Sequence, residues 1–309
     1  MVSITAMASL NPSSCGRFAP SPTGPLHFGS LVAALGSYLE ARRRGGRWLV
    51  RMEDVDVPRC KPEHADAILR TLEAFGFAWD GAVEVQSTRI HRYRDVLDEL
   101  QRQGVVYPCA CTRSELSGAT PGVDGAPLYP GNCRHGLPPG RAARAWRLRV
   151  AGCIAFDDAV QGRLVQDLPR DVGDAVLLRA DGYFAYQLAV VVDDAAQGVD
   201  HVVRGADLIH STARQIYLQR LLGYATPDYA HLPVAVDATG AKLSKQTLAA
   251  PVTASDPAAA LFAAARFLSQ NPPEECRLAS VDFFWAWALA HWRLDQVSPA
   301  YSIPIEETT

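Results

Sequence analysis

Residues 25–30 of the chain read Pro-Leu-His-Phe-Gly-Ser and lie between a predicted strand and the start of a predicted helix. A helix start presents free backbone N–H groups and the positive end of the helix dipole, and both suit a phosphate group. His27 can donate a hydrogen bond to a phosphate oxygen, and Gly29 lets a ligand ring lie against the backbone. A His-x-Gly sequence alone is more often an ordinary turn, so the pattern needs support from elsewhere in the chain.

A loop with two lysines is a second candidate for phosphate binding. Residues 242–246 read Lys-Leu-Ser-Lys-Gln and follow a short predicted strand at 232–236. A flexible loop that carries Lys242 and Lys245 could close over a polyphosphate and stabilise the charge that develops on it. Charged loops are usually only solvated, so this signal is also weak by itself.

Three cysteines lie in residues 107–140, a stretch that is rich in Pro, Gly and Cys and lacks periodicity. Cys109, Cys111 and Cys133 would supply three thiolates, and one more donor would complete a tetrahedral zinc site. Such a site could organise a segment that has no core of its own. Tyr129 and His135 lie close by, and general ligand chemistry favours the histidine as the fourth ligand. Unliganded thiols are the alternative.

The elements around the histidine motif form a predicted βαβ unit. A short strand at 17–19 enters a Pro/Gly turn at 20–25, and a helix follows from Phe28. Leucines at 31, 35 and 39 recur at helical spacing, a glycine pair at 45–46 ends the helix, and residues 47–53 form the second strand. This order predicts an α/β fold with a parallel sheet.

The remaining elements follow from hydrophobic patterns. Helices are predicted at 64–77, 88–103 and 212–222, and strands within 144–180 and at 232–236. Residues 184–193 are a nearly continuous apolar run, which we interpret as a buried strand. Two further helices are predicted at 256–268 and 283–294, and the apolar character of 283–292 predicts that this helix is buried on most faces.

Composition excludes several classes of protein. The chain has 309 residues, 48% hydrophobic and 20% charged, which excludes a disordered or collagen-like chain and allows about two domains. The net charge of −3 means that a nucleic acid would have to meet a local basic patch. The sequence has neither an apolar run long enough to span a membrane nor a secretory signal in residues 1–14, so we expect a cytoplasmic protein. Seven cysteines in a chain of this size favour free thiols or metal ligation over a disulfide framework.

The two phosphate-binding candidates, taken together and in this order, resemble the signatures of class I aminoacyl-tRNA synthetases. Residues 17–24 read Arg-Phe-Ala-Pro-Ser-Pro-Thr-Gly and run into the histidine motif, and Lys-Leu-Ser-Lys follows far downstream, as in the glutamyl branch. Ser30 and Gln246 depart from the usual signatures, but they replace neither the histidine nor the second lysine. The resemblance covers residues 16–250 and implies a Rossmann-like parallel sheet split by a connecting insert. It also implies ATP, used with Mg²⁺, as the substrate that His27, Gly29, Lys242 and Lys245 bind.

The resemblance further implies a site for L-glutamate, which presents two carboxylates and one ammonium. Such a site needs guanidinium groups and one carboxylate. The matching positions on the first loop and on later elements are Arg17, Phe18, Ala19, Pro20, Ser21, Glu53, Tyr186 and Arg204. Glu53 suits the ammonium, and Arg17, Tyr186 and Arg204 suit the carboxylates. For the zinc site, the resemblance favours Tyr129 over His135 as the fourth ligand, with a structural role for the metal.

The resemblance also suggests how the chain is divided. We expect a leader at 1–15, the two halves of the catalytic domain at 16–106 and 183–250, the insert at 107–182, and a short helical region at 251–309. Only 309 − 245 = 64 residues follow Lys245, so we expect no anticodon-binding domain.

This arrangement resembles the glutamyl-queuosine tRNA(Asp) synthetases. It implies transfer of glutamate to the cyclopentenediol of queuosine in the anticodon loop of tRNA(Asp), by an enzyme that we expect to be a monomer. Arginines that could contact tRNA phosphates are Arg89, Arg92, Arg94, Arg141 and Arg144. The alternatives are a short glutamyl-tRNA synthetase that charges the tRNA 3′ end, and a non-catalytic zinc and RNA-binding relative.

Overall fold

The computed structural model describes residues 14–240, 252 and 255–305. The lysines at 242 and 245 and Gln246 lie outside the described residues, as does most of the predicted leader. The strands are β1 (Cys15–Phe18), β2 (Arg47–Met52), β3 (Glu84–Val85), β4 (Val106–Cys109), β5 (Ala145–Leu148), β6 (Cys153–Asp158), β7 (Gly162–Asp167), β8 (Ala175–Leu178), β9 (His201–Gly205), β10 (Asp228–Leu232), β11 (Val234–Val236) and β12 (Ser302–Pro304).

Helices alternate with strands from β1 to β5, and three helices follow one another after β11. They are α1 (Phe28–Arg43), α2 (Pro62–Ala74), α3 (Ile90–Arg102), α4 (Arg113–Leu116), α5 (Leu168–Asp171), α6 (Tyr186–Gln197), α7 (Ile209–Leu222), α8 (Pro257–Phe267), α9 (Glu275–Leu278) and α10 (Val281–His291). The α/β fold class is therefore confirmed.

Parallel strands form the centre of the fold. β1, β2 and β3 pair in parallel in that order. β9 pairs in parallel with β10, β10 pairs in parallel with β6, and β6 pairs with the antiparallel β7. β9 lies beside β1, where the amide of Asp200 donates to the carbonyl of Cys15 at 3.0 Å. The chain runs outward from β1 to β3 in one direction and from β9 to β10 in the other. The order of strands thus reverses between β1 and β9, as in Rossmann-like sheets, where ligands bind at the carboxyl ends of the strands beside the reversal.

Helices cover both faces of the sheet, which is the usual arrangement for parallel strands. β2 shows this directly: Trp48 and Val50 pack into one apolar cluster with α1, α2 and α10, while Leu49 packs into another with α3, α6 and α7. Successive side chains of a strand point to opposite faces, so one strand contributes to both clusters. The leucines predicted to line one face of α1 are all buried.

The apolar run at 184–193 is a helix, and our prediction of a strand there is wrong. Residues from Tyr186 onward form α6, and only Phe184 makes an isolated bridge, to Leu178. The helix is buried around most of its circumference, so its sequence shows no polar face and periodicity cannot separate it from a buried strand. It ends at Gly198, whose φ of 69° is the left-handed conformation that favours glycine at this position.

The C-terminal helices lie where the sequence predicts them, but α10 is less buried than predicted. Asp256 caps α8 by accepting the amide of Ala259 at 3.0 Å, as the Asp-Pro sequence predicts. In α10, Phe284 and Trp285 are buried, but Phe283 is 47% exposed, so the prediction of burial on most faces is wrong. The helix packs against α1 and α8 along one side. In the described part of the chain, no helix combines the length and apolar character needed to cross a membrane.

Candidate active site and metal centre

A cavity of about 480 Å³ opens at the carboxyl ends of β1 and β9, beside the reversal of strand order. Its walls contain every described residue predicted for ATP or glutamate: Arg17, Phe18, Ala19, Pro20, Ser21, His27, Gly29, Glu53, Tyr186 and Arg204. These residues come from β1, the first loop, the start of α1, the end of β2, α6 and β9. A second cavity of about 430 Å³ adjoins the first and shares Glu53 and Tyr186 with it.

The histidine motif forms the N-terminus of α1 at this cavity. His27 has an extended backbone, with φ −113° and ψ 172°, and its carbonyl accepts the amides of Ser30 and Leu31 at 2.9 and 3.0 Å. The first turn contains no acidic residue, so no carboxylate on this turn offsets the positive end of the helix dipole. The helix extends over 16 residues, and Gly29 and Ser30 in its first turn line the cavity. This end of the cavity therefore suits an anionic phosphate group.

A buried ion network supports the wall that Arg17 and Glu53 form. Nε of Arg17 lies 3.2 Å from Oδ1 of Asp194, and Nη2 of Arg51 lies 2.7 Å from the same oxygen. Nη2 of Arg51 also donates to Oε1 of Glu53 at 3.2 Å. Burial opposes the charge on Arg51, but the carboxylates of Asp194 and Glu53 more than offset this effect and raise its pKa. The network therefore holds Arg17 and Glu53 in fixed positions at the cavity.

Glu53 has the environment of a carboxylate that would be stabilised by a bound cation. Burial raises the pKa of Glu53, and Arg51 and Arg17 only partly oppose that shift. A substrate ammonium placed beside Glu53 would favour the ionised form of its carboxyl group. This is the role that the sequence assigns to Glu53.

Arg204 and Tyr186 form another part of the cavity wall. Nη1 of Arg204 donates to the hydroxyl of Tyr186 at 3.2 Å, and Nη2 donates to Thr212 and Gln215 at 2.8 and 2.9 Å. Nε of Arg204 donates to Nε2 of His231 at 3.1 Å. The buried side chains of Thr212, Gln215 and His231 thus hold Nε and Nη2 of the guanidinium. Nη1 lies beside Tyr186. A carboxylate in the cavity would meet both a guanidinium and a phenol hydroxyl.

Sequence reasoning missed the residues behind these walls, above all Arg51, Asp194 and His231. Two of them carried a usable signal. Arg51 interrupts the apolar residues of β2, and Asp194 directly follows the apolar run at 184–193. Arginine and aspartate are almost never buried without partners, so ionisable residues in apolar segments indicate buried pairs. His231 carried no comparable signal, because histidines are common at intermediate burial.

The cysteines of the insert meet in one cluster with Tyr129. Within the described residues, Cys109, Cys111 and Cys133 place their sulfur atoms within 4.8 Å of one another. The Tyr129 hydroxyl lies 3.4 Å from Sγ of Cys109 and 3.5 Å from Sγ of Cys111, and it accepts the amide of Cys133 at 2.8 Å. His135 is exposed and is not part of the group. These three cysteines could hold a metal ion, and Tyr129 is the donor placed beside them.

The sulfur spacing fits a tetrahedral ion. Sγ of Cys111 and Sγ of Cys133 are 3.8 Å apart, and thiolates about 2.3 Å from a tetrahedral zinc ion lie at about this separation. Nε of Arg147 donates to Sγ of Cys109 at 3.3 Å, and its guanidinium lies 3.9 Å from the centre of the Tyr129 ring. Burial opposes ionisation of Cys109, but its hydrogen bonds with Tyr129 and Arg147 more than offset this effect and lower the pKa of the thiol. The residues present therefore fit a bound metal cation.

One of the arginines expected to contact RNA has another role. Arg89 is buried, and its guanidinium lies 2.6 Å from Asp193 and 2.9 Å from Glu84. The prediction that Arg89 contacts RNA phosphates is therefore corrected, because its guanidinium is already paired with the two carboxylates. Arg141 pairs with Glu115 at 2.6 Å on the surface of the insert, while Arg92, Arg94 and Arg144 are exposed.

Comparison with known proteins places the chain in a family. The model of the catalytic domain of class I tRNA synthetases (E and Q) matches residues 15–260. A protein named glutamyl-Q tRNA(Asp) synthetase from Aromatoleum aromaticum is 61% identical over 91% of this chain and 90% of its own length. A protein of the same name from Dechloromonas aromatica is 61% identical over 91% of this chain and 95% of its own length.

Solved structures agree with the fold. Glutamate-tRNA synthetase from Elizabethkingia anophelis superposes with a TM-score of 0.78 at 24% identity, over 95% of this chain and 68% of that one. A glutamate tRNA ligase from Elizabethkingia meningosepticum, in complex with its amino acid, gives a TM-score of 0.76 at 24% identity, over 95% of this chain and 67% of that one. At this identity the likeness shows the shared fold, and the sequence relatives show the family. The chain belongs to the glutamyl-Q tRNA(Asp) synthetases, a family of class I aminoacyl-tRNA synthetases.

Proposed function

We propose that the protein activates L-glutamate with ATP and transfers it to the cyclopentenediol of queuosine in tRNA(Asp). In the first step a carboxylate oxygen of glutamate attacks the α-phosphorus, and pyrophosphate leaves with the electrons of the broken P–O bond. In the second step a queuosine hydroxyl attacks the carbonyl of the adenylate, AMP leaves and the hydroxyl proton is lost. Support comes from relatives that carry this name and align over 90% or more of their own length.

The observation that carries the proposal is the single cavity in which all the described candidates meet. Glu53 is suited to bind the ammonium of glutamate, while Arg17, Tyr186 and Arg204 are suited to bind its carboxylates. Arg17 is already paired with Asp194, whereas the hydrogen-bond partners of Arg204 described above are uncharged at neutral pH. We therefore assign Arg204 and Tyr186 to the side-chain carboxylate, since the substrate would supply the missing counter-charge.

The other side of the cavity is assigned to ATP. His27 and the first-turn amides of α1 would contact its phosphate groups, and Gly29 would let the nucleotide lie close to the backbone. Mg²⁺ bound with ATP would offset part of the charge on the phosphates. Lys242 and Lys245 are proposed to stabilise the negative charge that develops as pyrophosphate leaves.

The test of the proposal follows the two steps separately. Exchange of labelled pyrophosphate into ATP, with glutamate and no tRNA, reports adenylate formation. Labelled glutamate is then supplied with tRNA(Asp), and the tRNA is cut to locate the label. Label in the anticodon fragment supports the proposal, and label at the 3′ end favours a short glutamyl-tRNA synthetase. Absence of both exchange and transfer would favour a non-catalytic relative.

Replacement of Lys245 by alanine should lower the turnover of adenylate formation by about a hundredfold or more, because a cation that meets the transition state is lost. Pyrophosphate exchange at saturating ATP and glutamate measures this effect. Lys61→Ala, which removes a lysine outside the cavity lining, is the matched control and should retain normal exchange. Near-normal adenylate formation by the Lys245→Ala enzyme would refute the role of this lysine.

We propose that the cysteine cluster holds one zinc ion with a structural role. Cys109, Cys111, Cys133 and Tyr129 would fill all four positions of a tetrahedral ion, leaving none for water or substrate. The cluster's residues are not among those that line the active-site cavity. When bound, zinc would stabilise the fold of the insert. For an enzyme of this type we also infer a monomer in the cytoplasm, where its tRNA substrate is found.

Removal of one thiolate should release the metal. In the Cys133→Ala variant we expect loss of about one zinc per chain and a lower melting temperature, because the ion's binding energy contributes to folding. Cys153→Ala is the matched control, since Cys153 is exposed and lies outside the cluster. Elemental analysis and thermal denaturation measure the two effects. Wild-type protein without zinc, or a metal that carries a water facing the substrate, would contradict the structural assignment.

A further inference from the structure

Behind Arg204 lies a pair of buried residues that the proposed reaction does not use directly. Both the His231 and the Asp158 side chains are completely buried, and Nδ1 of His231 lies 2.6 Å from Oδ2 of Asp158. His231 contacts Arg204 on its other side, through Nε2 at 3.1 Å from Nε of the arginine. Neither His231 nor Asp158 is among the residues that line the cavity. Any influence on the substrate must therefore pass through Arg204.

The hydrogen bonds determine which nitrogen of His231 carries the proton. The Nε–H of an arginine can only donate, so Nε2 of His231 must be the acceptor and must lack a proton. Nδ1 then carries the proton and donates a hydrogen bond to Asp158. Asp158 is itself fixed, because its Oδ1 accepts the amides of Val160, Gln161 and His231 at 3.0, 2.9 and 3.0 Å.

The imidazole is also held in the uncharged state. Burial lowers the pKa of His231 to about 4, with the positive charge of Arg204 acting in the same direction and Asp158 opposing it. The Tyr229 ring stacks on the imidazole, with a centroid distance of 6.0 Å and an interplanar angle of 11°. The ring therefore presents a fixed, neutral acceptor to the guanidinium at neutral pH.

We propose that His231, oriented by Asp158, is a positioning residue that aims the Arg204 guanidinium at the side-chain carboxylate of the substrate. A guanidinium is planar, so holding Nε at His231 and Nη2 at Thr212 and Gln215 also fixes the direction of Nη1. Nη1 is the nitrogen beside Tyr186. This inference rests on the proposed function, because it concerns how glutamate is recognised.

Two substitutions at His231 separate its hydrogen bond to Asp158 from its hydrogen bond to Arg204. Asparagine can place an amide N–H near the position of Nδ1 and keep the bond to Asp158, but it has no acceptor at the position of Nε2. Glutamine can reach the position of Nε2 with its carbonyl oxygen and so accept from Arg204. We expect His231→Asn to raise KM for glutamate about 10- to 100-fold, as misplaced binding groups do, with little change in KM for ATP. His231→Gln should restore most of the glutamate affinity.

The matched control loses a buried hydrogen bond elsewhere. Ser37 accepts from Nε1 of Trp48 at 3.0 Å, both side chains are buried, and neither lines the cavity. Ser37→Ala should lower the melting temperature and leave both KM values near those of the wild type. A purely structural role for His231 would give the same pattern in His231→Asn and would overturn the proposal.

A second variant keeps the test decisive if His231→Asn does not fold. Asp158→Asn has nearly the same shape, but its amide can donate to Nδ1 and so move the imidazole proton to Nε2, facing Arg204. This variant should also raise KM for glutamate and not for ATP, and an unchanged KM for glutamate would refute the role of the pair. If the wild-type protein shows no glutamate-dependent exchange, the proposed function fails and this inference fails with it. An active wild type with unaffected variants refutes only the inference.

Discussion

Glutamine should be activated with a kcat/KM about 10⁴-fold lower than that of glutamate, because its side-chain amide cannot neutralise a buried guanidinium. Arg204 is only 5% exposed, and its partners are uncharged: the side chains of Tyr186, Thr212, Gln215 and a neutral His231, and the carbonyl of Leu208. Glutamate brings a negative charge to this group, whereas glutamine leaves it buried without a counter-charge. The cost of that uncompensated charge is the source of the discrimination.

Pyrophosphate exchange with each amino acid measures the ratio. Arg204→Gln removes the charge while keeping a polar side chain, so exchange with glutamate should fall much more than exchange with glutamine, and the ratio should shrink. Ser37→Ala again serves as the control that should leave the ratio unchanged. Comparable activation of glutamine by the wild-type enzyme would reject the assignment of Arg204 and Tyr186 to the side-chain carboxylate.

The parts of the fold that depend on local spacing were predictable from the sequence. α1 is an example: leucines repeat at 31, 35 and 39, a Pro/Gly turn precedes the helix, and a glycine pair follows it. α6 is the counter-example. Its residues are buried on most sides, so apolar side chains at almost every position conceal a period of 3.6 residues. Gly198 was the available signal, since a glycine a few residues beyond an apolar run is typical of the end of a helix.

In the candidate site, too, the residues in local motifs were predictable from the sequence, and the pairs that are distant in sequence were not. The residues that we propose to contact ATP and glutamate lie in recognisable motifs, and all those within the described ranges meet in one cavity. The residues that hold them come from distant parts of the chain. Arg51 and Asp194 are 143 positions apart, and Asp158 and His231 are 73 positions apart. No local pattern specifies such pairs, because they form only when parallel strands and their helices assemble.

Transfer of glutamate should require queuosine and should be abolished on the same tRNA(Asp) without it. The adenylate carbonyl needs a nucleophilic hydroxyl, and the cyclopentenediol presents two neighbouring hydroxyls that resemble those of a terminal ribose. Without queuosine, the bases of the anticodon loop carry no such diol. The measurement is labelled glutamate bound to tRNA(Asp) purified with and without the modification, and equal labelling of the two would contradict the prediction.

The competing acceptor is the 3′-terminal ribose, and the two diols can be separated chemically. Periodate oxidises both, so it should abolish transfer whichever diol is the acceptor. A tRNA(Asp) that carries queuosine and has its 3′-terminal ribose diol blocked as a 2′,3′-cyclic phosphate keeps only the diol of the modified base. The enzyme would have to seat that base beside the adenylate, as proteins that bind RNA loops do with unstacked bases. We expect this substrate to accept glutamate as well as the intact tRNA does. If it is inert while unmodified tRNA-Glu is charged, the protein is a short glutamyl-tRNA synthetase that acts on the 3′ end.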